Sequence, residues 1–252
     1  MTVESEADVR GLLACGRLVR RIFERMRKAA VPGITTAQLD QIAQAEFRKT
    51  GAQSAPMHFY NFPGATCISV NEAAAHGIPG QQRLRQGDLV NIDVSAVLDG
   101  YVADMGESFL VGAASSGKLR ARERICRAVK QAVQLAIAEI KPGRSLNVIG
   151  TTVQQVADRG GYGIVENLGS HGVGRDIHEE PSYIPKANPR EQRTLSEGLV
   201  LTVEPFFTTG RPWVEEQADG WTLAAAPGEL VAQCEQTVIV AADGPVIVTA
   251  AA

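Results

Sequence analysis

A chain of 252 residues, 44% of them apolar and 21% charged, can bury a sizeable core and has the composition of an ordinary globular protein of one domain or two. A net charge of −3 with no long basic run makes nucleic acid an unexpected partner, and no apolar stretch approaches the ~20 residues that span a bilayer. Four scattered cysteines without CxxC spacing, and a charged start (MTVESEADVR) without a signal-type apolar stretch, lead to the expectation of a soluble cytoplasmic protein with free thiols.

Glu4 to about Ala29 carries helical periodicity, with Val9, Leu12, Leu13, Leu18, Ile22 and Phe23 at three- and four-residue steps, and Pro32-Gly33 ends it. Thr35 or Thr36 caps a second helix to about Lys49, stopped by Gly51. Residues 52–65, rich in aromatics and Pro, read as a loop before a short strand, Thr66 to Val70. After NEAAAHGIP and a polar linker, 80–86, comes NIDVSAVLDGYVADMGESF (91–109), a β-hairpin turning at Asp99-Gly100. That turn sets Leu98 opposite Tyr101 and Ser95 opposite Asp104, with Asp93 one diagonal step away. Asp93 and Asp104 then share a face. A cation between them would relieve their repulsion, and two solvated aspartates on an open face are the other reading. The segment 112–117 reads as a connection, and a long helix follows from about Leu119 to Ile140.

From here the chain repeats itself. Lys141-Pro142-Gly143-Arg144-Ser145 ends one helix and caps the next, as Val31-Pro32-Gly33-Ile34-Thr35 does. Gly33 to Gly51 and Gly143 to Gly161 are both 18 positions. Gly87-to-Asp93 and Gly198-to-Glu204 each set a carboxylate six residues after a glycine at the end of an apolar strand, and His76-Gly77 and His171-Gly172 precede them. Two such halves, about 4–111 and 118–245 within a single domain 1–252, would pack around a pseudo-twofold axis, with their ligands meeting at the seam. The second half continues through Gly163 to Leu168, a Gly-rich loop to Pro181, an exposed loop 182–197, the strand ending at Glu204, a turn 208–220, hairpin strands Trp221–Leu223 and Leu230–Val240, and an apolar tail Val246–Ala252. Glu179 and Glu180 read as supporting or helix-start acids, and His58 as structural.

The candidate ligands are Asp93, Asp104, His171, Glu204 and Glu235. Four carboxylates and one imidazole exceed what one small ion takes and suit two divalent ions sharing bridging oxygens. Oxygen-rich ligation favours Mn(II), Fe(II), Co(II) or a similar ion over a structural zinc site, and two such ions activate water and polarise a carbonyl.

NEAAAHGIP, IDVSAVLDGYVADMGESF, GSHGVGRDIHEEP, TVEPFF and AQCEQT, in this order and spacing, resemble the motif blocks of the type I methionine aminopeptidases over about residues 4–240. The resemblance implies an α+β pita-bread fold, two pseudo-twofold-related αα-ββ halves around a central antiparallel sheet, with two divalent metal ions (Co, Mn, Fe, Ni or Zn). It implies Asp93 as a terminal and Asp104 as a bridging carboxylate, His171 and Glu204 on one metal, and Glu235 bridging. Glu204 would also be the general base, His76 would hydrogen-bond the substrate near its second residue, and His178 would bond the scissile carbonyl and its oxyanion. The methionine pocket would fall on Phe59, Phe62, Cys67, Ile177 and Trp221. The implied substrates are N-termini of nascent polypeptides at the ribosome, and the implied state is a monomer. Phe59 and Phe62 stand where tyrosine is common, Ile177 where phenylalanine is usual, and Asp176 where a small residue is usual. Met105 and Gln236 depart from the family pattern next to metal ligands, which leaves the preferred metal and turnover open. Two alternatives remain at this level: a relative of this fold with shifted specificity, such as a proline-specific aminopeptidase, and a binding module that has lost catalysis. The five intact ligands argue against the second.

Overall fold

The helix- and strand-forming stretches separate into two sets, each with its own core. The computed structural model describes residues 1–113, 116–184 and 186–251. Ala114 and Ser115 of the expected connection 112–117, Pro185 of the expected loop 182–197, and the last tail residue, Ala252, lie outside the described residues.

In the first set, α1 (Glu6–Ala29) begins two residues later than its periodicity suggests, because Ser5 is the N-cap and its Oγ accepts from the Asp8 N–H at 3.2 Å. Thr35 and Gln38 form a capping box on α2 (Thr36–Thr50), and Gly51 closes it at φ +73°. The strands Leu89–Leu98 and Tyr101–Leu110 pair antiparallel over their full length, with Leu98 opposite Tyr101, Ser95 opposite Asp104 and Asp93 opposite Gly106. Asp99 and Gly100 both have positive φ, as a two-residue turn matching the strand twist requires. Alternation sorts the hairpin into two faces. Ile92, Val94, Ala96, Ala103 and Met105 join Leu12, Val19, Ile22 and Phe23 of α1 in one core, and Asp93 and Asp104 point the other way.

Residues 52–65 are more ordered than a loop. Gln53–Ser54 pairs with Val97 and Ala96, and α3 (Ala55–Tyr60) follows. Ser54 caps α3, Pro56 occupies its first turn, and Asn61 ends it in the left-handed region. Six residues are too few for a periodic signal, so only the capping chemistry marks this helix. Ala73–Ala75, within NEAAAHGIP, forms a further strand and pairs with Leu223–Ala224.

In the second set, α4 (Gly117–Ala138) and α5 (Asn147–Gly160) pack on a five-stranded sheet ordered Val246–Ile247, Gln236–Ile239, Val200–Val203, Ser170–Gly172, Glu179–Ile184. Leu146, without a side-chain cap, is the N-cap of α5, while Ser145 Oγ accepts only from the Asn147 N–H, so the two Pro-Gly turns match less closely than expected. Glu179 and Glu180 start a strand instead of a helix, because their backbone pairs with the strand that carries His171. Gly163–Ile164 forms a short strand paired with Thr208 and Phe207. Leu223–Ala224 and Val231–Gln233 are not hairpin partners; the first pairs with Glu215–Glu216 and Ala73–Ala75, the second with Phe206–Thr208.

The two sets join along Tyr101–Leu110. The Glu235 N–H donates to Gly106 O at 2.8 Å, and Thr237 Oγ1 accepts from Asp104 N at 2.9 Å and donates to Asp104 O at 2.8 Å. On the far side of the same strand, Glu107 is buried and takes Arg27 of α1 and Lys130 of α4, at 2.5 and 2.9 Å.

Candidate metal centre and substrate cavity

Each candidate ligand lies at this seam. Asp93 and Asp104 come from the two hairpin strands, His171 from Ser170–Gly172, Glu204 from the residue after Val200–Val203, and Glu235 from the break between Val231–Gln233 and Gln236–Ile239. Asp104, His171 and Glu235 offer donor atoms within 4.8 Å of one another, and Glu204 Oε1 stands 2.9 Å from His171 Nε2. His171 Nδ1 lies 2.9 Å from Gly172 O. A carbonyl only accepts, so Nδ1 carries the proton and Nε2 faces the cluster as a donor atom for a metal.

Supporting side chains lie two residues away along each strand, on the same face. Thr202 Oγ1 donates to Glu204 Oε1 at 3.0 Å and accepts from His171 N at 3.0 Å. Gln233 Nε2 donates to Glu235 Oε2 at 3.0 Å, with its Oε1 taking Asn91 Nδ2 at 2.7 Å. Ser95 Oγ donates to Asp104 Oδ1 at 2.7 Å, the cross-strand pairing that the turn predicts. The strand period alone makes Thr202 and Gln233 legible in the sequence as neighbours of Glu204 and Glu235.

The electrostatics of the cluster need cations. Burial, then Asp104 and Glu204, hold the Asp93 carboxyl well above the usual carboxylate range, and burial followed by the Asp104, Glu204 and Asp93 charges does the same to Glu235. Burial raises Asp104 to about 6 even though His171 opposes the rise. Burial works against charge on His171, yet Glu204 and Asp104 carry it up to about 9. Glu235 Oε1 is buried and has no hydrogen-bond partner among the described residues. An orphaned carboxylate oxygen among mutually repelling acids is costly without positive charge, and the oxygen-rich donor set fits hard or borderline divalent ions.

Above the cluster is a cavity of about 240 Å³, with Phe62, Cys67, Ile177 and Trp221 as apolar wall and His76 and His178 as polar groups. Phe62 and Trp221 meet edge to face, 5.2 Å between centroids. Burial pushes the Cys67 thiol well up, so it serves as wall and not as nucleophile. His76 has φ +53°, and burial lowers its pKa; burial and then the His171 charge lower that of His178. Asp176 lies beside the rim and accepts the Ile177 N–H at 2.6 Å. His58 is exposed, edge-on to Phe59.

Three expectations change. Phe59 is not on the cavity wall: in α3 it packs on the first core, while Pro56 and Tyr60, four apart on one helical face, line the cavity. Met105 is fully buried behind the sheet among the α1 contacts, on the face opposite Asp104. The Gln236 side chain turns outward to Arg20 Nη2 and Thr249 Oγ1, at 3.2 and 2.9 Å. Neither of these last two residues faces the metal ligands, since strand neighbours alternate.

Comparison with known proteins agrees with this geometry. Residues 10–242 match the model of metallopeptidase family M24. The chain is 41% identical to a methionine aminopeptidase of Staphylococcus epidermidis over 250 residues, covering 99% of this chain and 98% of that protein. It is 32% identical to the methionine aminopeptidase of Escherichia coli over 251 residues, 99% and 94% of the two chains. The solved methionine aminopeptidase of Rickettsia prowazekii superimposes with a TM-score of 0.92 at 31% identity, over 99% of this chain and 100% of that one. A prolidase of Pyrococcus furiosus, 20% identical with a TM-score of 0.77 over 100% of this chain and 66% of its own, shares the fold alone. The two halves form the pita-bread fold, and the chain belongs to metallopeptidase family M24, among the type I methionine aminopeptidases.

Proposed function

We propose that this protein removes the N-terminal methionine from nascent polypeptides whose second residue is small, by hydrolysing the first peptide bond at a centre of two divalent ions. The observation that carries the reading is the convergence of Asp93, Asp104, His171, Glu204 and Glu235 beneath a small apolar cavity. Divalent ions held by these five groups supply Lewis acidity and a water of lowered pKa.

The chain's own groups do the rest. Phe62, Cys67, Ile177 and Trp221 enclose a thioether side chain, for which a soft apolar wall is suited. Glu204 accepts the proton of the attacking water and returns it to the leaving amine, held for this by Thr202. His178 donates a hydrogen bond to the scissile carbonyl oxygen as negative charge grows there. His76, in its left-handed backbone position, reaches the amide of the second residue. The reading takes residues 1–252 as one catalytic domain, acting as a cytoplasmic monomer on chains leaving the ribosome.

Metal-stripped protein is given Mn(II), Fe(II), Co(II), Ni(II) or Zn(II) in turn, and methionine release from Met-Ala-Ser is measured beside the Asp104→Ala variant. Metal-dependent release that the substitution abolishes is the expected result. No release with any ion would overturn the proposal.

A further inference from the structure

Tyr60 belongs neither to the metal ligands nor to the pocket residues that the sequence reading singles out. It is the last residue of α3, whose position is set by the Ser54 cap, by the Asn61 N–H donating to Met57 O at 3.2 Å, and by the Phe62 N–H donating to Pro56 O at 3.1 Å. From there its hydroxyl reaches across the cavity mouth to His178 Nδ1, at 2.7 Å, with the rings 5.6 Å apart. Two segments separated by 118 residues thus meet through one hydrogen bond between polar side chains.

We infer that Tyr60 is a positioning residue that holds His178 in the tautomer with its proton on Nε2, and so keeps a donor aimed at the substrate carbonyl. Either direction of proton donation satisfies a tyrosine–imidazole pair in isolation, and two considerations choose between them. A phenol is a better proton donor than a neutral imidazole N–H. Among the described residues the Tyr60 hydroxyl has no other acceptor, so if Nδ1 donated, its proton would be left to solvent. Without Tyr60, His178 is free to carry its proton on either nitrogen, and the fraction with a lone pair on Nε2 repels the carbonyl oxygen it should stabilise.

The inference rests on the role proposed for His178. Tyr60→Phe removes the hydroxyl and keeps the ring on a side chain that is 44% exposed, so the fold should stand. The expected result is a fall in kcat of about 10–100-fold with KM nearly unchanged, as for loss of a partner that orients a group acting in the transition state. In the His178→Ala background the same substitution should do nothing more. Imidazole ¹⁵N shifts of the metal-loaded protein should show His178 protonated at Nε2, moving to a mixture in Tyr60→Phe. His178 protonated at Nδ1 in the parent protein, or a Tyr60→Phe effect that persists undiminished without His178, overturns the inference. Failure of the function itself is distinguishable, because the ¹⁵N tautomer is read without turnover.

Discussion

Glu235 shows how a single side chain records what its site is for. One carboxylate oxygen takes Gln233, and the other is buried with no partner among the described residues. Burial and the neighbouring acids raise its pKa well above the usual range, so in metal-free protein the group is a liability. Glu235→Gln removes that liability and places an amide donor among acceptors. The expected outcome is a metal-free variant melting higher than metal-free parent protein at pH 8, by roughly 1–3 kcal/mol of stability. Its metal affinity should fall by more than the ~10–100-fold that loss of a supporting partner costs. Thermal unfolding and metal titration check the two signs together, and a destabilised metal-free variant would count against the reading. Met105 and Gln236 show the converse. They neighbour ligands in sequence, yet strand alternation turns Met105 into the core and Gln236 to Arg20, so their departures from the family pattern bear on packing.

At the scale of elements, the His-Gly pairs of the repeat have a packing reason. A Cβ on Gly77 would run into the Ile68 carbonyl oxygen, and one on Gly172 into the Glu180 carbonyl oxygen. Each glycine lets a segment bearing a site histidine lie directly against a neighbouring strand, so close approach is what demands it. Gly77→Ala is therefore expected to cost about 2–4 kcal/mol, since the obstructing atom is backbone and cannot swing aside. It should also lower kcat by shifting His76. A denaturant midpoint equal to that of the parent protein would refute this. The loop carrying Ile177 and His178 is tied down in a similar way: Glu179 takes the Arg175 and Asp176 amides at 2.5 and 2.7 Å and also pairs with the Met1 ammonium. Arg175 adds contacts to Asp8 and over the Tyr101 ring. Glu179 is thus a supporting acid that opens a strand and not a helix, two roles that look alike in sequence until the pairing partner is known.

At the scale of the molecule, the two halves meet with their carboxylates inward, and this sets the pH response. Asp104 rises from 3.8 to about 6, and Asp93 and Glu235 also lie well above their ordinary values, so the folded metal-free protein holds protons that the unfolded chain has released. Their contribution to stability falls as pH rises from about 4 through 6 and beyond. His171, raised from 6.5 to about 9, contributes fully below 6.5 and loses that contribution as pH rises through 9. Both trends run the same way. Below pH 6.5 His76 and His178, whose pKa values burial lowers, act in the opposite sense, so chelated protein should melt at progressively lower temperature from pH 6.5 to pH 8.5, and a divalent ion should raise the melting temperature more at pH 8.5 than at 6.5. A flat profile for the chelated protein would mean that the cluster is not under the strain described. Behind the seam, Glu107 joins α1 to α4 through Arg27 and Lys130, which ties the two helical layers where the sheets meet.

The chain by itself determined the hairpin register and singled out the five side chains, Asp93, Asp104, His171, Glu204 and Glu235, that the fold gathers at its seam. These follow from local rules: a positive-φ turn sets the partners across a hairpin, a period of two sorts faces, and carboxylates closing apolar strands stand out from their surroundings. Only the tertiary structure decided that α3 exists, that Tyr60 in place of Phe59 lines the cavity, and that Glu179 opens a strand. Two of these depend on a partner more than 40 residues away, Val97 for the strand before α3 and His178 for Tyr60, and the third depends on Glu179 pairing with Gly172, which itself pairs with Leu201. Side-chain direction in a short helix or an irregular strand is fixed by what it packs against, and that information is not held in neighbouring residues.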